Sequence, residues 1–241
     1  MRKGELSIIK DREQLSCWIH HSMAVTGGYL GVYALLCRND FFGNALTSNL
    51  IYIVTGILGQ DLFDVLIRIG GVVLYVLGIS STIFLSKKYH RNLHPISLVI
   101  NYIAVIILGL LPAEMDPILG LYPIFFAMAF QWNSFPGAYG FAGSTIFSTN
   151  NARQVANALS EYCITHEKRQ LQRAAFFGGT LACFHIGVAF SWITHHFIGI
   201  RSVWLCVVPL LVSTALIAYE SHLDKATVGQ KDATGAPVKQ I

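Results

Sequence analysis

The feature that most limits what this chain can become is the recurrence of apolar stretches of about 20 residues, the length a helix needs to cross about 30 Å of hydrocarbon. Six such stretches are read, at 17–37, 62–85, 96–112, 117–134, 174–194 and 203–219. Only 12% of the residues are charged, roughly half the share of an ordinary soluble domain. So little polar surface cannot coat a water-soluble globule. The expectation is an all-α membrane protein of six transmembrane helices, with the lipid bilayer as its main solvent.

The basic residues fall between the apolar stretches in a regular way. Arg2, Lys3, Lys10 and Arg12 precede the first; Lys87, Lys88 and Arg91 follow the second. Arg153, Lys168, Arg169 and Arg173 lie between the fourth and fifth, and Lys225, Lys231 and Lys239 follow the sixth. With six crossings all of these share one side, and the positive-inside rule puts both termini in the cytoplasm. The other side has Arg38 and Arg201 beside Glu114 and Asp116. The net charge of +4 is read as loops facing an anionic leaflet. No basic stripe with interleaved aromatics is present, so nucleic acid is not expected as a partner.

Residues 1–16 are basic but interrupted by acids, and no small-residue cleavage site follows the first apolar run, so that run is expected to be retained. Residues 17–220 are read as the membrane domain and 221–241, polar and rich in small residues, as a disordered cytoplasmic tail.

Two long connections resemble each other. Each starts F-x-G, at Phe41 and Phe141, and passes through a hydroxyl-and-amide cluster into a short helical run. The clusters are Thr47-Ser48-Asn49 and Ser148-Thr149-Asn150. Glycine-bearing spans follow, with Gly70, Gly71 and Gly78 in one and Gly178, Gly179 and Gly187 in the other. The chain therefore reads as two three-span copies, 17–112 and 117–220. An odd number of spans inverts the second copy, the architecture of many secondary transporters. The copies are expected to superpose after a half-turn about an axis in the membrane plane.

The clusters suit helix N-capping, because Ser, Thr and Asn side chains accept from free N–H groups. If the loops also dip into the bundle, two helix N-termini would face a central cavity and favour an anionic or carboxyl-bearing solute. On that reading Thr47, Ser48, Asn49, Ser148, Thr149 and Asn150 line one site, with Gln131, Asn133 and His185 nearby. Asp64 and Arg68, four apart, share a helix face. They form either a snorkelling pair or a charge on the pathway. His185 is either a proton relay or a packed residue bonded to a neighbouring helix. Gly27-x-x-x-Gly31, and the row Gly179, Cys183, Gly187 and Ser191, are close-packing motifs. They serve either within the chain or in a homodimer.

No phosphate-binding loop and no HExxH motif occur, and Gly137-x-x-Gly140-x-x-Gly143 does not match the dinucleotide fingerprint. Ser144 and His185 could suggest an intramembrane serine protease, but the surrounding AGSTI lacks the flanking glycine of such sites. No catalytic residue, metal ligand or cofactor is expected. Cys17, Cys37, Cys163, Cys183 and Cys206 form no CxxC pair and read as small buried hydrophobes.

The stretch GGYLGVYALL, then FFGNALTSNL, then the segment from AFQWNSF to TIFSTNN, resembles the YoaK-like family of bacterial multi-pass membrane proteins, a domain of unknown function. The resemblance runs from about His20 to Tyr219 and implies a six-helix protein of the bacterial inner membrane. It supplies no activity. Many members carry an acid where this chain has Gly31, and TGN where it has Thr47-Ser48-Asn49, which argues against a simple proton-coupled carboxylate here. Two functions follow from the residues. One is a small secondary transporter or permease; the other is a non-transporting structural, sensory or assembly protein of the membrane.

Overall fold

The computed structural model describes residues 3–37 and 46–234, and the side chains of 11–37 and 46–224. The chain is helical almost throughout. The helices are α1 (Lys3–Cys37), α2 (Leu46–Leu58), α3 (Leu62–Ile83), α4 (Leu93–Leu110), α5 (Tyr122–Ser134), α6 (Thr149–Thr165), α7 (Lys168–Ile198) and α8 (Val207–Thr234). A π-helical turn, Phe84–Lys88, extends α3, and a 3-10 stretch, Gly199–Cys206, joins α7 to α8. The departure from an all-α fold is a small antiparallel hairpin pairing Gly137–Ala138 with Phe141–Ala142. Its turn residues Tyr139 and Gly140 both have positive φ, at 56° and 76°, as a two-residue hairpin turn requires.

Local chemistry sets several helix ends. Asp61 caps α3 by accepting from the Asp64 N–H at 3.2 Å, and Asn92 caps α4 by accepting from His94 N–H at 3.0 Å. Asp116 accepts from the N–H groups of Ile118 and Leu119, and Pro123 sits in the first turn of α5, where a missing N–H costs nothing.

Among the described residues, three helical stretches are long and apolar enough to cross a membrane: Leu62–Lys88, Leu93–Leu110 and Lys168–Asp224. The third, of 57 residues, has room for two crossings of about 20 residues. These helices turn apolar side chains outward, among them Phe63, Leu66, Ile103, Ile107, Ile186, Phe197, Leu211 and Val212. A belt of this kind is lipid-facing surface, and the chain is a helical membrane protein.

Helices α1 and α5 differ from the spans expected at 17–37 and 117–134. α1 runs 35 residues from Lys3, so the segment read as a separate N-terminal piece is its first turns. An Arg12–Asp224 ion pair at 2.9 Å ties this end to α8. α5 is 13 residues long, preceded by a single 3-10 turn. Both are central: Met23, Ala24, Tyr29 and Leu30 on α1, and Ala127, Met128, Ala129 and Phe130 on α5, are fully buried. A helix wrapped by other helices is freed from presenting apolar surface to lipid, so α1 keeps His20, His21 and paired glycines mid-span. At the other end, α8 continues to Thr234 through the start of the segment read as a disordered tail. The F-x-G start at Phe41 lies outside the described residues.

The helices pack by close backbone approach. α1 lies along α7 and α3 along α5, each pair parallel, with contacts that climb together along both chains. A Cβ added at Gly187 would sit 2.0 Å from the Val25 carbonyl oxygen, and one at Gly28 would sit 2.0 Å from that of Phe184. On the other pair, a Cβ at Gly78 would lie 2.7 Å from the Phe126 carbonyl oxygen. These glycines, and Gly179 against the His21 ring, pack within the chain. Gly187→Val or Gly78→Val should therefore destabilise the fold by about 3 kcal/mol, the upper range of overpacking. Gly178→Ala, whose Cβ would meet nothing closer than 3.9 Å, should be neutral or up to about 1 kcal/mol stabilising through helix propensity. Thermal unfolding in detergent measures all three.

Candidate functional site

Irregular backbone enters the helical core between α5 and α6. Ser144, Thr145 and Ile146 are buried, although they belong to no helix. Unpaired N–H and C=O groups at such depth cost several kcal/mol each, so the segment must be bonded from its sides. Asn151, in the first turn of α6 and fully buried, does most of this. Its Oδ1 accepts from Ser144 N–H at 3.1 Å, and its Nδ2 donates to the carbonyls of Ser144 and Phe147 at 2.7 and 3.0 Å. The Ser144 hydroxyl accepts from Ile146 N–H at 3.3 Å.

Gln131 holds the other flank. From α5 its Nε2 donates to the Met23 carbonyl on α1 at 3.0 Å and to the Thr145 hydroxyl at 3.2 Å. The loop rests on α1 at Gly27, where a Cβ would lie 2.1 Å from the Thr145 carbonyl oxygen. At the near end His20 Nδ1–H donates to the Phe135 carbonyl at 3.1 Å. That bond puts a proton on Nδ1 and leaves Nε2 beside Gly143. Among the described residues, His20 Nε2, Gln131 Oε1 and Thr26 Oγ1 are buried without a hydrogen-bond partner. α1 and α5 thus meet at polar atoms with unused bonding capacity, next to irregular backbone.

Of the residues expected to line one site, Gln131 stands in this cluster. Ser148 is the N-cap position of α6 but makes no side-chain cap bond, and Thr149 is exposed. Asn150 accepts from Arg153 at 3.0 Å on the surface. Asn133 is exposed and donates to Thr82 on α3 at 2.5 Å. His185 is exposed and donates to the Leu181 carbonyl of its own helix at 2.8 Å, a local bond on the outer face.

The first cluster is anchored elsewhere. Thr47 is exposed, Ser48 is half-buried and Asn49 is buried, all inside the first turn of α2. Asn49 Oδ1 accepts from Arg68 Nη1 at 3.4 Å. Arg68 also donates from Nε to Asp64 at 2.5 Å and lies 4.3 Å over the Tyr52 ring. Its side chain is 4% exposed against 30% for Asp64. Arg68 is thus a buried cation held by a carboxylate, an amide and an aromatic face, and it does not snorkel. The Thr47-Ser48-Asn49 cluster binds α3, while the Ser148-Thr149-Asn150 cluster belongs to the α6 start.

Reasoning from sequence missed Asn151, Thr145, His20 and Tyr52. The doubled Asn150-Asn151 held a signal: the buried amide sits inside the first helical turn, as Asn49 does in α2. The five cysteines are free thiols. Among the described residues no group of three or more His, Cys, Asp or Glu is placed to hold a metal ion.

The model of a family described as "Protein of unknown function (DUF1275)" matches residues 19–216, almost the stretch over which the motifs carry their resemblance. No curated protein and no solved structure matches the chain.

Asn151→Ala should cost about 2–3 kcal/mol, because it leaves buried backbone groups unpaired. Asn150→Ala should stay within about 0.5 kcal/mol, as surface changes do. Parallel thermal unfolding of the two variants separates them.

Proposed function

We infer that this chain, which belongs to the DUF1275 family of proteins of unknown function, crosses the bacterial inner membrane six times as an inverted repeat and works as a small secondary transporter or permease. The repeat is supported by contacts that recur at fixed sequence offsets. The Tyr122 hydroxyl donates to the Ile67 carbonyl at 2.7 Å, and His21 Nε2 donates to the Phe176 carbonyl at 3.1 Å. The ring of Tyr122 faces Gly70 and that of His21 faces Gly179; the Phe126 carbonyl meets Gly78 and that of Val25 meets Gly187. Residues 21 and 122, like 25 and 126, are 101 apart; 67 and 176, 70 and 179, and 78 and 187 are 109 apart. Left-handed residues close equivalent turns: Gln60 and His166 before α3 and α7, His90 and Gly199 after them.

In this reading α1 to α4 correspond to α5 to α8. The parallel pairs α1–α7 and α3–α5 each combine a helix from one half with a helix from the other. They form two bodies that touch between α5 and α1 at the Gln131–Met23 hydrogen bond and pack more widely through α4 against α8. Cytoplasmic termini agree with the charges: Lys87, Lys88, Lys168, Arg169 and Arg173 then share the cytoplasmic face with Arg12.

The observation that carries transport is the seam between these bodies. Gln131 bridges α5 to α1, Thr145 brings irregular backbone onto Gly27, and the free acceptors of Gln131 and Thr26 face a polar solute if the bodies rock apart. Backbone of this kind at membrane depth is stable where it is buried in protein or lines a water-filled path. An anionic solute is favoured by the α6 start, where Ser148 leaves the first N–H groups without a side-chain cap.

One observation favours a non-transporting role. Ala127, Met128, Ala129 and Phe130 are fully buried, so the centre is packed in this conformation. Cysteine labelling separates the readings. Thr26→Cys, in a chain with its native cysteines replaced, should react with a membrane-impermeant maleimide from either face of sealed vesicles. Reaction from one face only, or from neither while the unfolded chain reacts fully, would rule out alternating access.

A further inference from the structure

We propose that the mouth formed by the 137–142 hairpin, α6 and the start of α7 is a binding site for a phosphate group, in a lipid headgroup or free in solution. The proposal does not depend on whether the chain transports. A cavity of about 290 Å³ opens there. Arg169, Gln170 and Arg173 of α7, Gln154 of α6, and Gly140 and Phe141 of the hairpin line it.

The two arginines are held differently. Arg173 is placed by neighbours: Nη1 reaches Glu161 at 3.3 Å and Gln170 at 3.4 Å, and Nη2 donates to Gln154. The Arg169 guanidinium carbon lies 5.5 Å from the centre of the Phe141 ring, and no acidic side chain among the described residues pairs with it. The cavity lining includes two cations and no carboxylate. A guanidinium beside an aromatic ring with no carboxylate partner keeps N–H donors for a ligand, and a guanidinium fork can grip a phosphate in a bidentate way.

The hairpin is built to stay in place. The Tyr139 hydroxyl donates to Gln14 on α1 at 2.7 Å, and the left-handed turn at Tyr139 and Gly140 brings Gly140 up to Arg169. An anion entering the mouth would meet a fixed wall rather than a mobile loop. The apolar flank of Phe141 and Phe177 suits a ligand with an organic portion, and the basic segment as a whole suits the anionic leaflet.

The test uses the full chain purified into nanodiscs of phosphatidylcholine. Inorganic phosphate is titrated by calorimetry, and native mass spectrometry compares retention of phosphatidylglycerol with that of phosphatidylcholine. At least one arm should show selective binding. Arg169→Gln should weaken that arm about 10-fold, and Arg169→Lys should recover part of it. Arg153→Gln, an exposed arginine outside the cavity, should leave it unchanged. Binding in the lipid arm alone identifies a headgroup, and binding in the phosphate arm alone identifies a soluble anion. Binding in neither arm, or equal binding by the wild type and Arg169→Gln, overturns the proposal.

Discussion

Helix backbones in this protein touch through glycine, and the rest of the structure depends on that contact. Lipid offers no hydrophobic drive for one apolar helix to seek another, so association rests on close packing and buried hydrogen bonds. Carbonyl oxygens of Val25, Phe184, Phe126 and Thr145 rest where the Cβ of any other residue at Gly187, Gly28, Gly78 and Gly27 would stand. Three of these contacts join helix to helix. The fourth lets an irregular segment lie against α1, and with Gln131 it places polar atoms where α1 meets α5.

The outer helices were legible because lipid writes a simple rule. The runs read at 62–85, 96–112 and 174–194 lie in α3, α4 and α7, whose outward faces are apolar. The inner helices obey other rules. α1 carries two histidines and paired glycines because its neighbours are other helices, and α5 is short because the loops at its ends complete its path. The glycine motifs gave the packing, yet sequence could not say that Gly27 faces a loop while Gly28 faces α7. The site was the least legible part. Gln131, expected beside the second cluster, bonds instead to Thr145 in the loop ahead of that cluster and to Met23 on α1. Capping logic looks at the residues that open a helix and so points to Ser148-Thr149-Asn150, whereas the loop is held by Asn151, an amide inside the first turn.

The two short helices differ in a way that bears on function. α2 exposes Leu50, Ile51, Val54 and Ile57, and it encloses the buried Arg68 through Asn49 and Tyr52. α6 exposes Arg153 and Asn157, and its inner face carries Gln154, which accepts from Arg173 of α7. The outward face of α2 is apolar, whereas that of α6 mixes polar residues with Leu159 and Ile164.

The central claim is that the halves are related by inversion, and equivalent turns test it directly. Gln60, between α2 and α3, and His166, between α6 and α7, are both exposed and both left-handed. Single cysteines at these positions, in a chain with its native cysteines replaced, can be probed on intact cells with an impermeant maleimide. The account predicts that the Gln60→Cys protein is labelled and that the His166→Cys protein is labelled only after the membrane is opened. Labelling of both on intact cells, or of neither, would place the two turns on one side of the membrane and contradict the inverted architecture.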